Sequence, residues 1–305
     1  MKAHSRSLAR IALALLALTT AAVNATADTP APEYSRAGAD TCLGCHREPA
    51  LQDIFQTPHG VAADANSPFG QQQCESCHGP RGKHPAGGPD SIRRFGKGSA
   101  LPAARQNDVC LGCHAAVALP GWHGGVHEAE DLACADCHRV HVVADPVLSL
   151  TGQPEICLGC HRRERAQMLK PYVHPVRYGK MNCSGCHAPH GSATQAELRR
   201  PTLNETCFEC HAEKRGPFVF EHAPATEDCS LCHNAHGSNH PAMLTRRAPL
   251  LCQQCHSQAG HPSLSLTAAG LPGGSPSALV VGGSCLNCHG EVHGSNHPSG
   301  ITQMR

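Results

Sequence analysis

Apolar residues along this chain form short, irregular runs instead of repeating with the period of an amphipathic helix or a β-strand. Beyond the N-terminal region the longest apolar run, Ala115 to Leu119, has five residues. The 30 glycines and 24 prolines interrupt regular helices throughout the 305 residues. The pattern therefore predicts an elongated protein of loops and short α-helices, with little or no β-sheet.

The N-terminal region has the organisation of a secretory signal peptide. Three basic residues precede an apolar run from Ile11 to Leu18, and Ala25-Thr26-Ala27 supplies the small residues that a signal peptidase accepts. We predict a signal peptide over residues 1–27 and an exported domain over residues 28–305. An uncleaved anchor is the alternative, but the apolar run is shorter than the roughly 20 residues that a membrane span needs.

The composition is poor in the side chains that build a protein core. Aromatic residues make up 3% of the chain and there is one tryptophan, so we expect another group to fill the interior. The signal peptide holds 3 of the 25 basic residues and no acidic one, which leaves 22 basic against 24 acidic residues. A slightly acidic chain is not expected to bind nucleic acid, because phosphates require a basic surface.

The cysteines of this chain occur in one repeated motif that identifies a cofactor. All 20 cysteines fall in ten Cys-x-x-Cys-His motifs, in which two thiols attach a haem and the next histidine binds its iron. Zinc or disulfide sites would leave the repeated histidine unexplained. We predict ten covalently bound haem c groups. The attachment cysteines are Cys42, Cys45, Cys74, Cys77, Cys110, Cys113, Cys134, Cys137, Cys157, Cys160, Cys183, Cys186, Cys207, Cys210, Cys229, Cys232, Cys252, Cys255, Cys285 and Cys288, and the proximal histidines are His46, His78, His114, His138, His161, His187, His211, His233, His256 and His289.

The motifs form an internal repeat, and we number them sites 1 to 10 in chain order. Successive sites begin 22 to 36 residues apart, too close for separate domains. Three odd sites read Cys-Leu-Gly-Cys-His, and three even sites continue as Cys-His-x-x-His, which predicts five two-haem modules and two pseudo-halves, about 28–175 and 176–305. The longer connections Ala86–Asn107 and Pro262–Ser284 are predicted to be surface loops.

The short segment Cys183–Ser192 raises the question of the second axial ligand. His190 follows the proximal His187 by three residues, and so short a loop cannot reach round a porphyrin to its opposite face. If His190 is a ligand, it must serve another haem, most simply one at a neighbouring site in the sequence.

Thirteen further histidines lie between or just after the sites, in ten clusters, so one ligand per cluster supplies ten irons. Within the three double clusters we prefer His127 over His123, His236 over His240 and His293 over His297, from their spacing to the attachment motifs. The predicted distal ligands are His59, His84, His127, His141, His174, His190, His222, His236, His261 and His293.

Irons with histidine on both faces have no free position for a substrate. The chemistry left to them is outer-sphere electron exchange, so we predict an electron-transfer protein and no catalytic residues. A multihaem reductase is the enzyme alternative, and it would need at least one open iron.

The ten motifs, the Cys-His-Ala-Pro-His-Gly-Ser segment at Cys186–Ser192 and two His-Gly-Ser-Asn-His-Pro segments resemble the MtrA/DmsE family of decahaem c-type cytochromes, with its MtoA/PioA-like relatives. The resemblance covers essentially all of residues 28–305. It implies a periplasmic chain held inside an outer-membrane β-barrel porin, with periplasmic and extracellular cytochromes as redox partners. It also implies electron transfer to or from the cell exterior, for example in iron or other metal oxidation or reduction. A soluble periplasmic carrier that feeds a terminal reductase is the rival interpretation.

Overall fold

A computed structural model describes residues 33–88, 91–115, 119, 121–256 and 285–304. The predicted signal peptide, the predicted ligand His261 and the connection Pro262–Ser284 lie outside the described residues. Within the described ranges, no helix is both long and apolar enough to cross a membrane.

The helices are short, as the sequence predicts, and the longest has 12 residues. In chain order the α-helices are α1 (Ala39–Leu43), α2 (Pro49–Gln52), α3 (Cys74–His78), α4 (Ala103–His114), α5 (Val126–Ala129), α6 (Cys134–Cys137), α7 (Gly152–Cys160), α8 (Arg162–Met168), α9 (Leu203–Phe208), α10 (Ala223–Glu227) and α11 (Ala248–Cys252). Single 3-10 turns connect them at Asp53–Gln56, Pro58–Gly60, Pro68–Gly70, Pro146–Leu148, Pro175–Tyr178, Cys183–Gly185, Gln195–Glu197, Ala212–Lys214, Cys229–Leu231, Pro241–Met243, Cys285–Asn287 and Gly300–Thr302.

The helices at the attachment sites alternate along the chain with a period of two sites. At odd sites an α-helix begins upstream of the first cysteine and includes it, as in α1, α4, α7, α9 and α11. At even sites a helical turn begins at the first cysteine itself, in α3, α6 and three of the 3-10 turns. The odd and even sites therefore differ in backbone structure as well as in sequence.

Regular sheet is confined to one pair of two-residue strands in the described part of the chain. β1 (Phe220–Glu221) pairs antiparallel with β2 (Gly294–Ser295). An isolated antiparallel bridge joins Tyr172 to Ser238 in an equivalent place. The prediction of little or no sheet is confirmed.

Side-chain packing is sparse, as the composition predicts. Ala39, Ile54 and Phe69 form a small buried cluster against Leu43 and Cys74. No large side chain among the described residues is fully buried. The interior of this protein is therefore not built by the protein alone.

Two local expectations are corrected. The Pro- and Ala-rich sequence from Asp28 to Asp40, with no periodic apolar pattern, predicts a mobile or loosely docked leader. In its described part, however, the backbone and hydroxyl of Ser35 donate hydrogen bonds to Glu75, which is 3% exposed, and the Ala39 amide donates one to the Gln73 side chain. The predicted loop Ala86–Asn107 ends in a helix, because α4 already begins at Ala103. The buried carboxylate holds the leader, and helix α4 lacks proline and glycine until Gly112.

Candidate functional site

The attachment cysteines of consecutive sites lie next to one another in sequence order. Within each odd–even pair the first cysteines are within hydrogen-bonding reach: Cys42 and Cys74, Cys110 and Cys134, Cys157 and Cys183, Cys207 and Cys229, Cys252 and Cys285. Between pairs the second cysteine lies near the next site: Cys77 near Cys110 and Cys113, Cys137 near Cys160, Cys186 near Cys210, and Cys232 near Cys255. None of the 20 cysteines, all of which lie in the described ranges, forms a disulfide. Each of sites 1 to 9 is therefore followed in space by the next site of the sequence.

Nine proximal histidines each face a second histidine, with ring centroids 5.9 to 6.3 Å apart. The pairs are His46 with His84, His78 with His141, His114 with His59, His138 with His190, His161 with His127, His187 with His236, His211 with His174, His233 with His293, and His256 with His222. Imidazoles that bind one metal ion from opposite sides, with bonds of about 2 Å and ring centres about 1 Å behind the nitrogen, would be roughly 6 Å apart. Each pair has the spacing that an iron between its rings requires.

The pairing crosses between modules in a regular way. His190 faces His138 of site 4 and not the proximal histidine of its own site, and this partner is two sites away, whereas we expected a sequence neighbour. The two sites of one module already lie together through their first cysteines. The histidine three residues past the motif instead projects toward the preceding module. In the same way His127 crosses forward to His161 of site 5. Adjacent modules therefore exchange one histidine in each direction.

Among the described histidines that do not follow a cysteine pair, three stand outside this arrangement. His123 hydrogen-bonds Glu128 at 2.8 Å, and His297 hydrogen-bonds the Ser299 hydroxyl at 2.8 Å. Neither these two nor His240 borders the cavity described below. The structure thus places the three histidines that the sequence disfavoured away from the proximal rings.

Hydrogen bonds fix the orientation of many of these rings. His78, His187 and His233 each donate from Nδ1 to a main-chain carbonyl at 2.8 Å, that of Arg93, Ala196 and Ala242 respectively. Ala196 and Ala242 adopt left-handed backbone, with φ of 57° and 54°, which aims their carbonyls at the histidine. A bond at Nδ1 leaves Nε2 free for a metal and raises the basicity of the ring.

The segments that carry the exchanged histidines also hydrogen-bond to one another. His127 donates from Nδ1 to the carbonyl of Pro189, immediately before His190, and the same bond joins His174 to Ala235 and His222 to Val292. Gly191 follows His190 with φ of +105°, and a Cβ there would overlap the carbonyl oxygen of Gly121. The glycine of the His-Gly-Ser motif therefore permits the close approach of the opposite segment, and Gly237 and Gly294 repeat it with positive φ.

Buried amide side chains clamp the two sites of a module, and our sequence reasoning missed them. Asn107 of helix α4 accepts from the Cys134 amide and donates to the Leu132 carbonyl. Asn204 repeats this with the Cys229 amide. Both are almost fully buried, at 4% and 7% exposed. An asparagine three residues before an odd-site cysteine was the available signal.

Burial also favours the form of histidine that binds metals. Desolvation lowers the pKa of His59, His190, His236 and His293, and nearby histidines add to each shift. The pKa of His78 is lowered by the same burial. Depressed pKa values keep these imidazoles neutral near pH 7, as coordination requires.

The space between the rings fits a set of haems. One continuous cavity of about 5620 Å³ is bordered by all 20 attachment cysteines and by the nine histidine pairs. Shared among ten haems it offers about 560 Å³ to each, within the roughly 300–1,000 Å³ of sites for one small cofactor. The indole N–H of Trp122 also borders this cavity, buried without a partner among the described residues. It is a donor available to a haem carboxylate.

Comparison with known proteins identifies the family. Over 294 residues the chain is 50% identical to the "Multiheme cytochrome MtrA" of Shewanella baltica (strain OS185), which covers 94% of this chain and 88% of that protein. The chain belongs to the MtrA family of multihaem cytochromes. A family model described as "Cytochrome c-type protein NrfB-like" matches residues 74–156, and the doubled CXXCH motif matches residues 174–216 and 222–261.

Two further similarities are weaker. The chain is 33% identical over 131 residues to the "Cytochrome c-type protein NrfB" of Escherichia coli O6:H1, or 41% of this chain and 65% of that one. An undecahaem cytochrome from the S-layer of Carboxydothermus ferrireducens matches 77% of this chain and 32% of its own, at 17% identity, with a TM-score of 0.16, too low to inform the fold. As a member of the MtrA family, this chain is a multihaem electron-transfer cytochrome with covalently bound haem c.

Proposed function

We propose that this member of the MtrA family is an electron conduit between periplasmic carriers and the cell exterior, held inside an outer-membrane β-barrel porin. The observation that carries the proposal is the order of the sites from Cys42 to Cys285, in which the attachment cysteines of each site lie near those of the next. Such an order suits directional transport along the chain better than storage of electrons in isolated sites.

In this proposal the chain holds each iron between two histidines. The proximal histidine follows its cysteine pair, and the distal one comes from the list predicted from the sequence, paired as the ring contacts suggest. A bound haem supplies one-electron exchange at its iron. The protein fixes the rings through their Nδ1 hydrogen bonds, and excludes other ligands by occupying both sides of the metal position.

Two occupied sides also argue against a substrate-binding iron at the nine described pairs.

For site 10 we propose His261 as the partner of His289. Site 1, at the other end of the chain, supports this choice. It has no preceding module, and its proximal histidine faces His84 from its own module. Site 10 has no following module, and His261 likewise comes from its own module, between sites 9 and 10.

The predicted signal peptide, the family resemblance and the cavity-lining haem positions support a periplasmic chain that reaches the outer membrane with a barrel partner. The partner would supply the lipid-facing surface, since unsatisfied backbone is not tolerated in a bilayer. We propose periplasmic and extracellular cytochromes as its redox partners.

Gentle purification from membranes tests the conduit. We expect a barrel protein to co-purify with the cytochrome in equal amount, and the complex in sealed vesicles to pass electrons from an internal donor to an external acceptor. Vesicles with the barrel protein alone are the control. A cytochrome that fractionates alone, with no effect on transfer across the vesicle, would refute the conduit.

The second candidate is a soluble periplasmic carrier that feeds a terminal reductase. The match of residues 74–156 to the NrfB-like model favours it. It predicts that the isolated cytochrome, without a membrane, exchanges electrons rapidly with a periplasmic reductase.

A further inference from the structure

Site 4 differs from the other even sites in the group that its proximal histidine contacts. At sites 2, 6, 8 and 10 the Nδ1 of the proximal histidine donates to a neutral main-chain carbonyl. At site 4 the acceptor is a carboxylate, because His138 Nδ1 lies 2.7 Å from Asp145 Oδ2.

The Asp145 carboxylate is held in place for this contact. Its other oxygen, Oδ1, accepts from the Val147 amide at 3.3 Å, where Asp145 caps the turn Pro146–Leu148. Its side chain is 14% exposed, so water screens the charge only partly. By contrast, Glu213 lies 3.8 Å from His211 of odd site 7, beyond hydrogen-bond distance, with both side chains more than half exposed.

We propose that Asp145 is a positioning residue that lowers the reduction potential of the haem iron held by His138. An ionised acceptor draws the Nδ1 proton toward itself, so the ring donates more charge through Nε2 and favours ferric over ferrous iron. Neutral carbonyls at the other even sites do this less. Site 4 is then the site of lowest potential among the even sites.

The opposite face of site 4 is also particular. His190, which faces His138, packs edge-on against Trp122, the only tryptophan of the chain, with ring centroids 6.3 Å apart. Trp122 is 6% exposed. The buried indole keeps water from one edge of the distal ring, whereas on the proximal side Asp145 is 14% exposed and His138 is 35% exposed.

The test is redox titration, followed by absorbance, of the haem-loaded Asp145→Asn protein. Asparagine has nearly the same shape and can still accept from His138, so the variant removes the charge and keeps the contact. We expect one of ten components to move to higher potential while the other nine stay. Asp136→Asn is the matched control: Asp136 also lies beside Cys137, but its carboxylate accepts from the Ala133 amide and not from a histidine.

Equal shifts in Asp145→Asn and Asp136→Asn, or none in Asp145→Asn, would overturn the proposal. The inference rests on the proposed ligation, so haem content and the low-spin spectrum are measured in the same sample. Ten low-spin haems with no shift refute the tuning alone, whereas high-spin iron in the unmodified protein refutes the ligation. If Asp145→Asn does not assemble, His190→Met marks the haem of site 4 instead. In the titration of His190→Met, the redox component that changes potential belongs to site 4. In the wild-type titration that component must be one of the lowest in potential, and a component from the upper half would overturn the proposal.

Discussion

Replacement of His190 by alanine separates the crossed pairing from local ligation. The two centroids of the His190–His138 pair are 5.9 Å apart, and no described histidine other than His190 faces His138 at that distance. His187, three residues away, keeps its own partner His236 at 5.9 Å. One iron of ten should therefore lose a ligand, and it should be the iron of site 4 rather than that of site 6.

The size of the effect follows from this count. With one open iron among ten, about one tenth of the ferric haem should become high-spin and bind an added ligand such as cyanide or, when reduced, carbon monoxide. Electron paramagnetic resonance and ligand-binding titration measure the fraction independently. His240→Ala is the control, because His240 does not border the cavity, and it should leave all ten haems low-spin.

A second step assigns the open iron to a site. When His190→Ala is combined with Cys134→Ala and Cys137→Ala, which remove the haem of site 4, the high-spin signal should disappear and nine low-spin haems should remain. Combination with removal of both site 6 cysteines should leave the signal in place. If instead the signal vanishes with the haem of site 6, the crossed pairing is wrong.

Three further changes test the arrangement around this pair. His127→Ala should produce one high-spin haem, whereas His123→Ala should produce none; magnetic spectra that show the reverse would exchange their roles. Gly191→Ala should destabilise the protein by about 1–3 kcal/mol, the range for a residue forced into a disfavoured backbone conformation, as measured by thermal unfolding. Gly185→Ala, whose Cβ would meet nothing closer than an oxygen at 3.7 Å, should change little, and equal effects would contradict this reasoning. Asn107→Ala leaves the Cys134 amide and the Leu132 carbonyl without their partner and should lower the free energy of unfolding by about 1–3 kcal/mol. An unchanged melting temperature would show that these hydrogen bonds do not stabilise the fold.

The local chemistry was readable from the sequence because each motif is complete within five residues. Ten cysteine pairs with a following histidine predict haem c without any tertiary information, and the family now shows it. The absence of long helices and sheet was equally predictable, since Gly and Pro act on the backbone where they stand. The modules and pseudo-halves stay predictions, although the helix pattern alternates with the same period.

The pairing of distant histidines was not readable in the same way. Spacing showed that His190 could not serve its own haem, but the choice of site 4 depends on how modules stack, and that is a property of the whole array. The role of Asp145 was hidden for a related reason: an aspartate before a proline is ordinarily a turn residue. Its carboxylate meets His138 only because the same turn folds back on the motif.

The exchange of histidines between modules has a consequence for how the protein matures. An exported chain emerges from its N-terminus, so His138 is present 52 residues before His190, and His233 is present 60 residues before His293. Sites 2, 4, 6 and 8 therefore lack their facing histidine until the next module has arrived, whereas odd sites from site 3 onward find theirs already made. A chain that stopped at the end of the module of site 2, 4, 6 or 8 would therefore end with one site that lacks its facing histidine, so truncation leaves a chemically distinct last site.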